Sequence, residues 1–120
     1  MTLIFASLAG LIHFYVFCME SLLWGRPKTN HIFGISPEAA EQNRLFAFNQ
    51  GFYNLFLALA ATVGLIIGLD SSVGKTLVAY SLMSMLMASL VLIFSNKKLL
   101  RAALIQGIPP LLGLLFLTLQ

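Results

Sequence analysis

Four long apolar runs constrain what this chain can fold into more than any other feature of its sequence. They cover residues 2–24, 45–69, 73–95 and 99–119. Each run reaches the roughly 20 apolar residues that a helix needs to cross about 30 Å of hydrocarbon. Because the interior of a bilayer offers no water to bond the backbone, each run must form a helix. The sequence therefore predicts an all-α membrane protein, folded as a bundle of four transmembrane helices.

The composition agrees with a lipid environment. Apolar residue types make up 59% of the chain and charged types 9%, whereas globular proteins contain about half and about a quarter. A chain of 120 residues has room for one domain, which we expect to cover residues 1–120. The basic residues lie at the ends of the apolar runs and do not alternate with aromatic residues on one face, so we expect no nucleic-acid partner. The expected partner is the lipid bilayer.

The ends of the helices can be placed more closely. Ser36, Pro37 and Glu38 combine an N-cap residue, a proline at the first helical position and an acid in the first turn. The second helix is therefore expected to begin near Pro37, before the membrane. No basic segment precedes the first run, so we expect it to remain as a helix and not to be removed as a signal peptide. The four helices are expected over about 2–24, 37–69, 73–95 and 99–119.

The distribution of lysine and arginine predicts the orientation in the membrane. Six of the seven basic residues fall in or beside the first and third loops, namely Arg26, Lys28, Arg44, Lys97, Lys98 and Arg101. Lys75 alone falls on the other side. Short loops rich in lysine and arginine stay in the cytoplasm. We therefore expect a multi-pass protein of the cytoplasmic membrane with both termini on the non-cytoplasmic side.

Polar residues share one face of the first helix. His13, Glu20 and Trp24 follow one another at steps of seven and four residues, so they lie on one helical stripe. His13 lies about 10 Å deeper in the membrane than Glu20, at a rise of about 1.5 Å per residue. An ionisable residue at such depth is costly unless it faces the bundle interior and finds partners. Glu20 is therefore expected to point inward.

The partners expected for Glu20 lie on the second and fourth helices. The second helix runs antiparallel to the first, so its residues 49–54, Asn-Gln-Gly-Phe-Tyr-Asn, reach the depth of Glu20. Gln106 reaches the same depth from the fourth helix. The sequence therefore predicts a polar layer in the cytoplasmic half of the bundle. The candidate ligand-binding residues are His13, Glu20, Trp24, Asn49, Gln50, Tyr53, Asn54 and Gln106.

Such a layer has a structural and a functional interpretation. It could be a network of hydrogen bonds that locks the helices together, or a site for a ligand or a proton, which a carboxylate and an imidazole on one face favour. The spacing of His13 and Glu20 is too long for both to hold one metal ion without bending, so we expect no metal and no cofactor. Acid–base chemistry suits these two residues better. No nucleophile is identified, because neither Cys18 nor any serine has a base beside it in sequence.

The fourth run contains two adjacent prolines, Pro109 and Pro110, at mid-membrane depth. Each proline removes a backbone donor, so the sequence predicts a kinked fourth helix. Transporters place broken helices at their binding sites, but a kink can also serve packing alone.

Four motifs together resemble a known family. They are His13-Phe14-Tyr15 with Glu20 and Leu23-Trp24, Phe33-Gly34-Ile35-Ser36-Pro37-Glu38, Asn49-Gln50-Gly51-Phe52-Tyr53-Asn54, and Gln106-Gly107-Ile108-Pro109. The set is similar to the small bacterial membrane-protein family filed as domain of unknown function 1304, over nearly the whole chain. Pro110 departs from the small residue usual in that family. The resemblance implies the four-helix fold and the same polar residues, and it assigns them no activity.

The leading functional hypothesis is a membrane protein whose polar layer binds a small lipophilic or amphipathic ligand in a transport or carrier role. One alternative is a membrane enzyme that uses Glu20 and His13 for acid–base chemistry on a lipid-like substrate. Another is a structural or partner-binding protein. The sequence leaves open which of these is correct, whether the chain is an enzyme, what the ligand is, whether the layer is open to water, and whether the protein forms a homo-oligomer.

Overall fold

The structure, a computed structural model, describes residues 1–120 and contains only helices and their connections. Helix α1 covers Thr2–Phe17 and continues into a π-helix at Cys18–Leu22. Two short helices follow, α2 at Pro27–Phe33 and α3 at Pro37–Gln42. The remaining elements are α4 (Arg44–Ile67), α5 (Ser72–Ser95), a 3-10 turn (Lys97–Leu99) and α6 (Leu100–Thr118).

Four of these elements are long and apolar enough to cross a membrane. They are Thr2–Leu22, Arg44–Ile67, Ser72–Ser95 and Lys97–Thr118, with mean hydropathies of 1.9, 1.6, 2.2 and 1.7. The prediction of an all-α protein with four transmembrane helices is confirmed. The chain is a multi-pass membrane protein.

The four long helices form a bundle in which each packs on two neighbours. Both α1 and α5 pack against α4 and α6, so α1 and α5 lie on opposite corners. The buried core combines small alanines with larger side chains: Ala6, Ala9, Ala61, Val78, Leu82, Met85 and Leu117. Lipid is as apolar as these side chains, so the hydrophobic effect does not drive the helices together as it does in soluble proteins. Close packing between the helices must stabilise the bundle instead.

Small residues bring the helices close together. The buried face of α4 carries a stripe of small residues at helical spacing, interrupted by one amide: Ala47, Gly51, Asn54, Ala58, Ala61 and Gly64. At the α4–α5 turn, Gly68 adopts a φ of 97°, and a Cβ added to Gly74 would collide with the Gly68 carbonyl oxygen. These contacts exclude larger residues and fix the distances between α4 and its neighbours.

The second helix was expected to run unbroken over 37–69, but the structure divides it at Asn43. Asn43 has a φ of −101° and a ψ of 7°, and its side-chain amide donates a hydrogen bond of 2.8 Å to the Ala39 carbonyl. Asparagine competes for backbone groups in this way and so tends to end helices. The expected start at Pro37 coincides with the start of α3, where Ser36 accepts a hydrogen bond from the Ala39 N–H.

The first loop contains a helix that the sequence analysis did not anticipate. Helix α2 begins at Pro27 and ends at Phe33, and the next residue, Gly34, has a φ of 64°. Proline at the first helical position and glycine just after the last are the usual boundary signals of a helix. These two residues could therefore have predicted α2.

Helix α6 is continuous through its two prolines. Pro109 and Pro110 are both buried within the bundle, so neither faces lipid. The prolines do not break the helix, and a bend at this point stays a prediction.

The orientation also stays a prediction, and labelling of single cysteines in intact cells tests it. In a Cys18→Ala background, a cysteine replacing exposed His31 in α2 should resist a membrane-impermeant maleimide, because the positive loops stay inside. A cysteine replacing exposed Ser72, at the start of α5, should react. The opposite labelling pattern would show that the termini lie on the cytoplasmic side.

Candidate functional site

The candidate site begins with a π-helical turn at the end of α1. Over Cys18–Leu22 the backbone winds as a π-helix, and the Leu23 N–H donates a 2.9 Å hydrogen bond to the Cys18 carbonyl, five residues back. A single π-turn within an α-helix is rare and frequently marks a functional site. Glu20 lies at the centre of this turn.

The π-turn packs directly on α4. The Ser21 hydroxyl donates a hydrogen bond of 2.8 Å to the Phe48 carbonyl. A Cβ added to Gly51 would collide with the Ser21 hydroxyl, and it would lie 3.0 Å from the Ser21 nitrogen and 3.1 Å from the Glu20 Cβ. Only glycine at position 51 permits this approach, which sets Glu20 against α4.

Glu20 meets Asn54 across this contact. The Asn54 side-chain amide donates to the Glu20 Oε2 at 2.9 Å and lies 3.1 Å from the Gln50 carbonyl oxygen. The other carboxyl oxygen of Glu20, Oε1, has no hydrogen-bond partner in the protein. Oε1 is accessible at the surface, because the only fully buried side-chain nitrogen or oxygen that lacks a hydrogen-bond partner is the Oδ1 of Asn30. Glu20 thus keeps one acceptor free.

A pocket of about 450 Å³ lies beside Glu20, at the end of the bundle where the π-turn, α3 and α4 meet. Its walls combine charged, amide, hydroxyl, aromatic and aliphatic side chains: Glu20, Ser21, Leu22, Trp24, Glu41, Gln42, Arg44, Leu45 and Phe48. Pockets that bind small molecules have volumes of about 300–1,000 Å³ and join apolar walls to a few polar groups. This pocket has the size and lining to hold a small amphipathic molecule.

Two of the charged groups at the pocket neutralise each other. Arg44 donates to the Glu41 Oε2 through Nε at 2.9 Å and through Nη2 at 2.7 Å, and this is the only ion pair in the structure. The hydrogen bonds from Arg44 lower the pKa of the Glu41 carboxyl below its ordinary value. Glu41 is therefore ionised at neutral pH and matched by Arg44.

Trp24 joins the loop helices to the bundle. Its indole N–H donates a hydrogen bond of 2.7 Å to the carbonyl of buried Ala40 in α3. Its ring meets that of Phe33 in α2 edge-on, with centroids 5.2 Å apart. The loop helices are thereby held against the bundle, and α3 forms one wall of the pocket.

His13 is not brought together with Glu20. It is only 1% exposed, and its Nδ1 lies 2.9 Å from the carbonyl oxygen of Ala9, one turn back in the same helix. It does not line the pocket. The two residues share a stripe of the first helix, but His13 is buried in the core, where its Nδ1 bonds to Ala9.

Asn54 and Trp24 aside, the side chains of the other predicted layer residues make no hydrogen bond to Glu20 and do not line the pocket. The side chains of Asn49, Gln50 and Tyr53 are exposed on the outer surface of α4. Gln106 is half-buried on α6 and makes no hydrogen bond to Glu20. Matching depths predicted how far along its helix each of these residues lies, but not which way its side chain points. The inward face of α4 is occupied mainly by its small residues. Of the eight predicted residues, Asn54 bonds to Glu20 and Trp24 lines the pocket beside it. The side chains of the other five do neither.

Several lining residues were missed by the sequence analysis. The sequence analysis assigned no role at this site to Ser21, Glu41, Arg44 or Phe48, which all line the pocket. Arg44, Phe48 and Gly51 follow one another at steps of four and three residues, a spacing that places all three near one side of α4. This spacing was the available signal. No group of three or more His, Cys, Asp or Glu side chains is placed to hold a metal ion.

Comparison with known families identifies the family to which the chain belongs. The model of a family described as protein of unknown function, DUF1304, matches residues 7–118 of the chain, which confirms the resemblance drawn from the motifs. No curated protein and no solved structure matches the chain significantly.

Proposed function

We propose that this chain, which belongs to the DUF1304 family, binds a small amphipathic ligand in the Glu20 pocket and serves as its carrier or transporter in the cytoplasmic membrane. The polar end of the ligand meets Glu20, and its apolar part lies along Leu22, Leu45 and Phe48. The mixed lining favours a molecule with both characters.

The observation that carries this proposal is the free Oε1 of Glu20. A carboxyl group that served only to hold helices together would have both oxygens satisfied within the bundle, because unsatisfied polar atoms at membrane depth are costly. One carboxyl oxygen of Glu20 accepts a hydrogen bond from Asn54, and the other, beside the open pocket, has no protein partner. This arrangement supports a binding role over a purely structural one.

The carrier role draws support from where the pocket lies. It reaches from helix α3 in the first loop to Glu20 in the first membrane-spanning segment, so it lies open at the end of the bundle where a ligand would enter the membrane. Acid–base catalysis by a Glu20–His13 pair has less support, since His13 is bonded to Ala9 and lies outside the pocket.

A paired comparison of Glu20→Gln and His13→Gln tests the proposal. Glutamine keeps the shape of Glu20 but not its charge, and hydrogen bonds between membrane helices average about 0.6 kcal/mol, so Glu20→Gln should change thermal stability little. Native mass spectrometry of the wild type should show a co-purified ligand, and Glu20→Gln should remove it. His13→Gln should retain that ligand, because His13 does not line the pocket.

The same spectra report the number of copies of the chain, and so decide whether it forms a homo-oligomer. Wild-type protein without any bound mass, or equal ligand content in wild type and Glu20→Gln, would contradict the proposed function. The structural interpretation of Glu20 and Asn54 would then be adopted.

A further inference from the structure

We infer that the Glu20 pocket selects a lipophilic cation, whose positive group lies against the free Oε1 of Glu20. This inference rests on the proposed function and names the chemical class of the ligand. It follows from the charges that line the pocket, the hydrogen bonds that those charges already make, and the aromatic walls.

Glu20 is the one ionisable side chain at the pocket without a partner of opposite charge. Three charged side chains line the pocket: Glu20, Glu41 and Arg44. Arg44 places two N–H groups on the same oxygen of Glu41, so their charges cancel locally. An anionic ligand would have to compete with Glu41 for Arg44, and it would be repelled by Glu20. A cationic ligand finds Glu20 unmatched.

The hydrogen-bond inventory points the same way. A carboxylate only accepts hydrogen bonds, and the single donor that reaches Glu20 is the Asn54 amide. The nearby Ser21 hydroxyl is already committed to the Phe48 carbonyl. An unpaired carboxylate in a medium of low dielectric is unfavourable, and a bound cation removes that cost by pairing with it.

The walls of the pocket suit a cation that carries apolar groups. Two aromatic residues, Trp24 and Phe48, line the pocket, and aromatic side chains attract cations, most strongly where water is excluded. Leu22 and Leu45 complete an apolar surface beside them. A hydrophilic cation such as sodium would gain nothing from these four side chains, whereas a lipophilic one would contact them all.

Two probes of matched shape and opposite charge test the inference. Tetraphenylphosphonium and tetraphenylborate match in shape and differ in the sign of their charge, so the difference in their binding to the protein, measured above their binding to protein-free detergent micelles, reports the charge of the pocket. Equilibrium binding to the detergent-solubilised protein should show tetraphenylphosphonium bound at least about tenfold more tightly, a difference of about 1.4 kcal/mol. Glu20→Gln should weaken the cation at least about tenfold. Glu38→Gln should leave it unchanged, because Glu38 is an exposed carboxyl outside the pocket.

A second variant keeps the test decisive if Glu20→Gln folds poorly. Glu41 is 70% exposed, so Glu41→Gln leaves the bundle intact but releases the charge of Arg44. It should weaken the binding of tetraphenylphosphonium and strengthen that of tetraphenylborate. Equal binding of both probes, preference for the anion, or no binding of the cation would overturn the inference. Loss of a co-purified ligand in Glu20→Gln would still uphold the proposed function in those cases, so the two failures can be told apart.

Discussion

Replacing Gly51 with alanine should separate the π-turn from α4 and destroy the Glu20 pocket. The added Cβ would collide with the Ser21 hydroxyl and press on the Ser21 nitrogen and the Glu20 Cβ. The Ser21 nitrogen is a backbone atom and the Glu20 Cβ is bonded directly to the backbone, so neither atom can move away by a side-chain rotation. Overpacking of this kind costs about 1–3 kcal/mol. We expect a clear fall in thermal stability together with loss of ligand.

Gly10→Ala is the matched control for this substitution. Gly10 is also a buried glycine within a membrane-spanning helix, but its added Cβ would meet only the Ala58 carbonyl oxygen, at 3.9 Å. Alanine is favoured over glycine in a helix by up to about 1 kcal/mol, so stability should hold or rise slightly. Equal effects of the two substitutions would show that the close contact at Gly51 does not hold the site.

Leu82→Ala should be among the most destabilising single changes in the bundle. Leu82 in α5 is 0% exposed, and it belongs to the core cluster formed with Ala6, Val78 and Met85. Its Cδ1 fills the space over Gly113 in α6, where an added Cβ would lie 2.8 Å away. Truncation leaves a cavity that the rigid helices cannot close, and such cavities cost about 2–5 kcal/mol.

The effect is measured against Leu90→Ala, two turns further along the same helix. Leu90 is 37% exposed, so lipid can replace the contacts that its side chain loses. Thermal unfolding in detergent should show a large fall for Leu82→Ala and a small one for Leu90→Ala. Similar falls for both would mean that the cluster around Leu82 is not the packing core.

The architecture could be predicted because it depends on properties of separate segments. The length and hydropathy of each run require a helix across the bilayer, whatever the neighbouring helices do. The start at Pro37 was also readable, because the N-cap bond of Ser36 and the proline act within one turn. The break at Asn43 was missed, since a single asparagine in a helical pattern ends a helix only in some settings.

The candidate site was predictable in part. The cost of a buried carboxylate required Glu20 to find a partner inside the bundle, and matching depths on antiparallel helices placed Asn54 within its range. Matching depths do not show whether a side chain points into the bundle or out of it. Asn49, Gln50 and Tyr53 were therefore assigned to the same layer, although their side chains are exposed on the outer surface of the bundle. His13 shares the stripe of Glu20 but bonds within its own helix.

The sequence by itself determined the number of membrane helices and the membership of the chain in its family, together with the need of Glu20 for a partner. Only the tertiary structure decided which side chains meet. The π-turn at Cys18–Leu22 arises where the close approach at Gly51 and the Ser21–Phe48 bond join two helices, and α3 completes the pocket by docking on Trp24. Hydropathy is a property of one segment and its solvent, whereas a contact depends on the shapes of two segments at once, and residues far apart in the sequence supply those shapes.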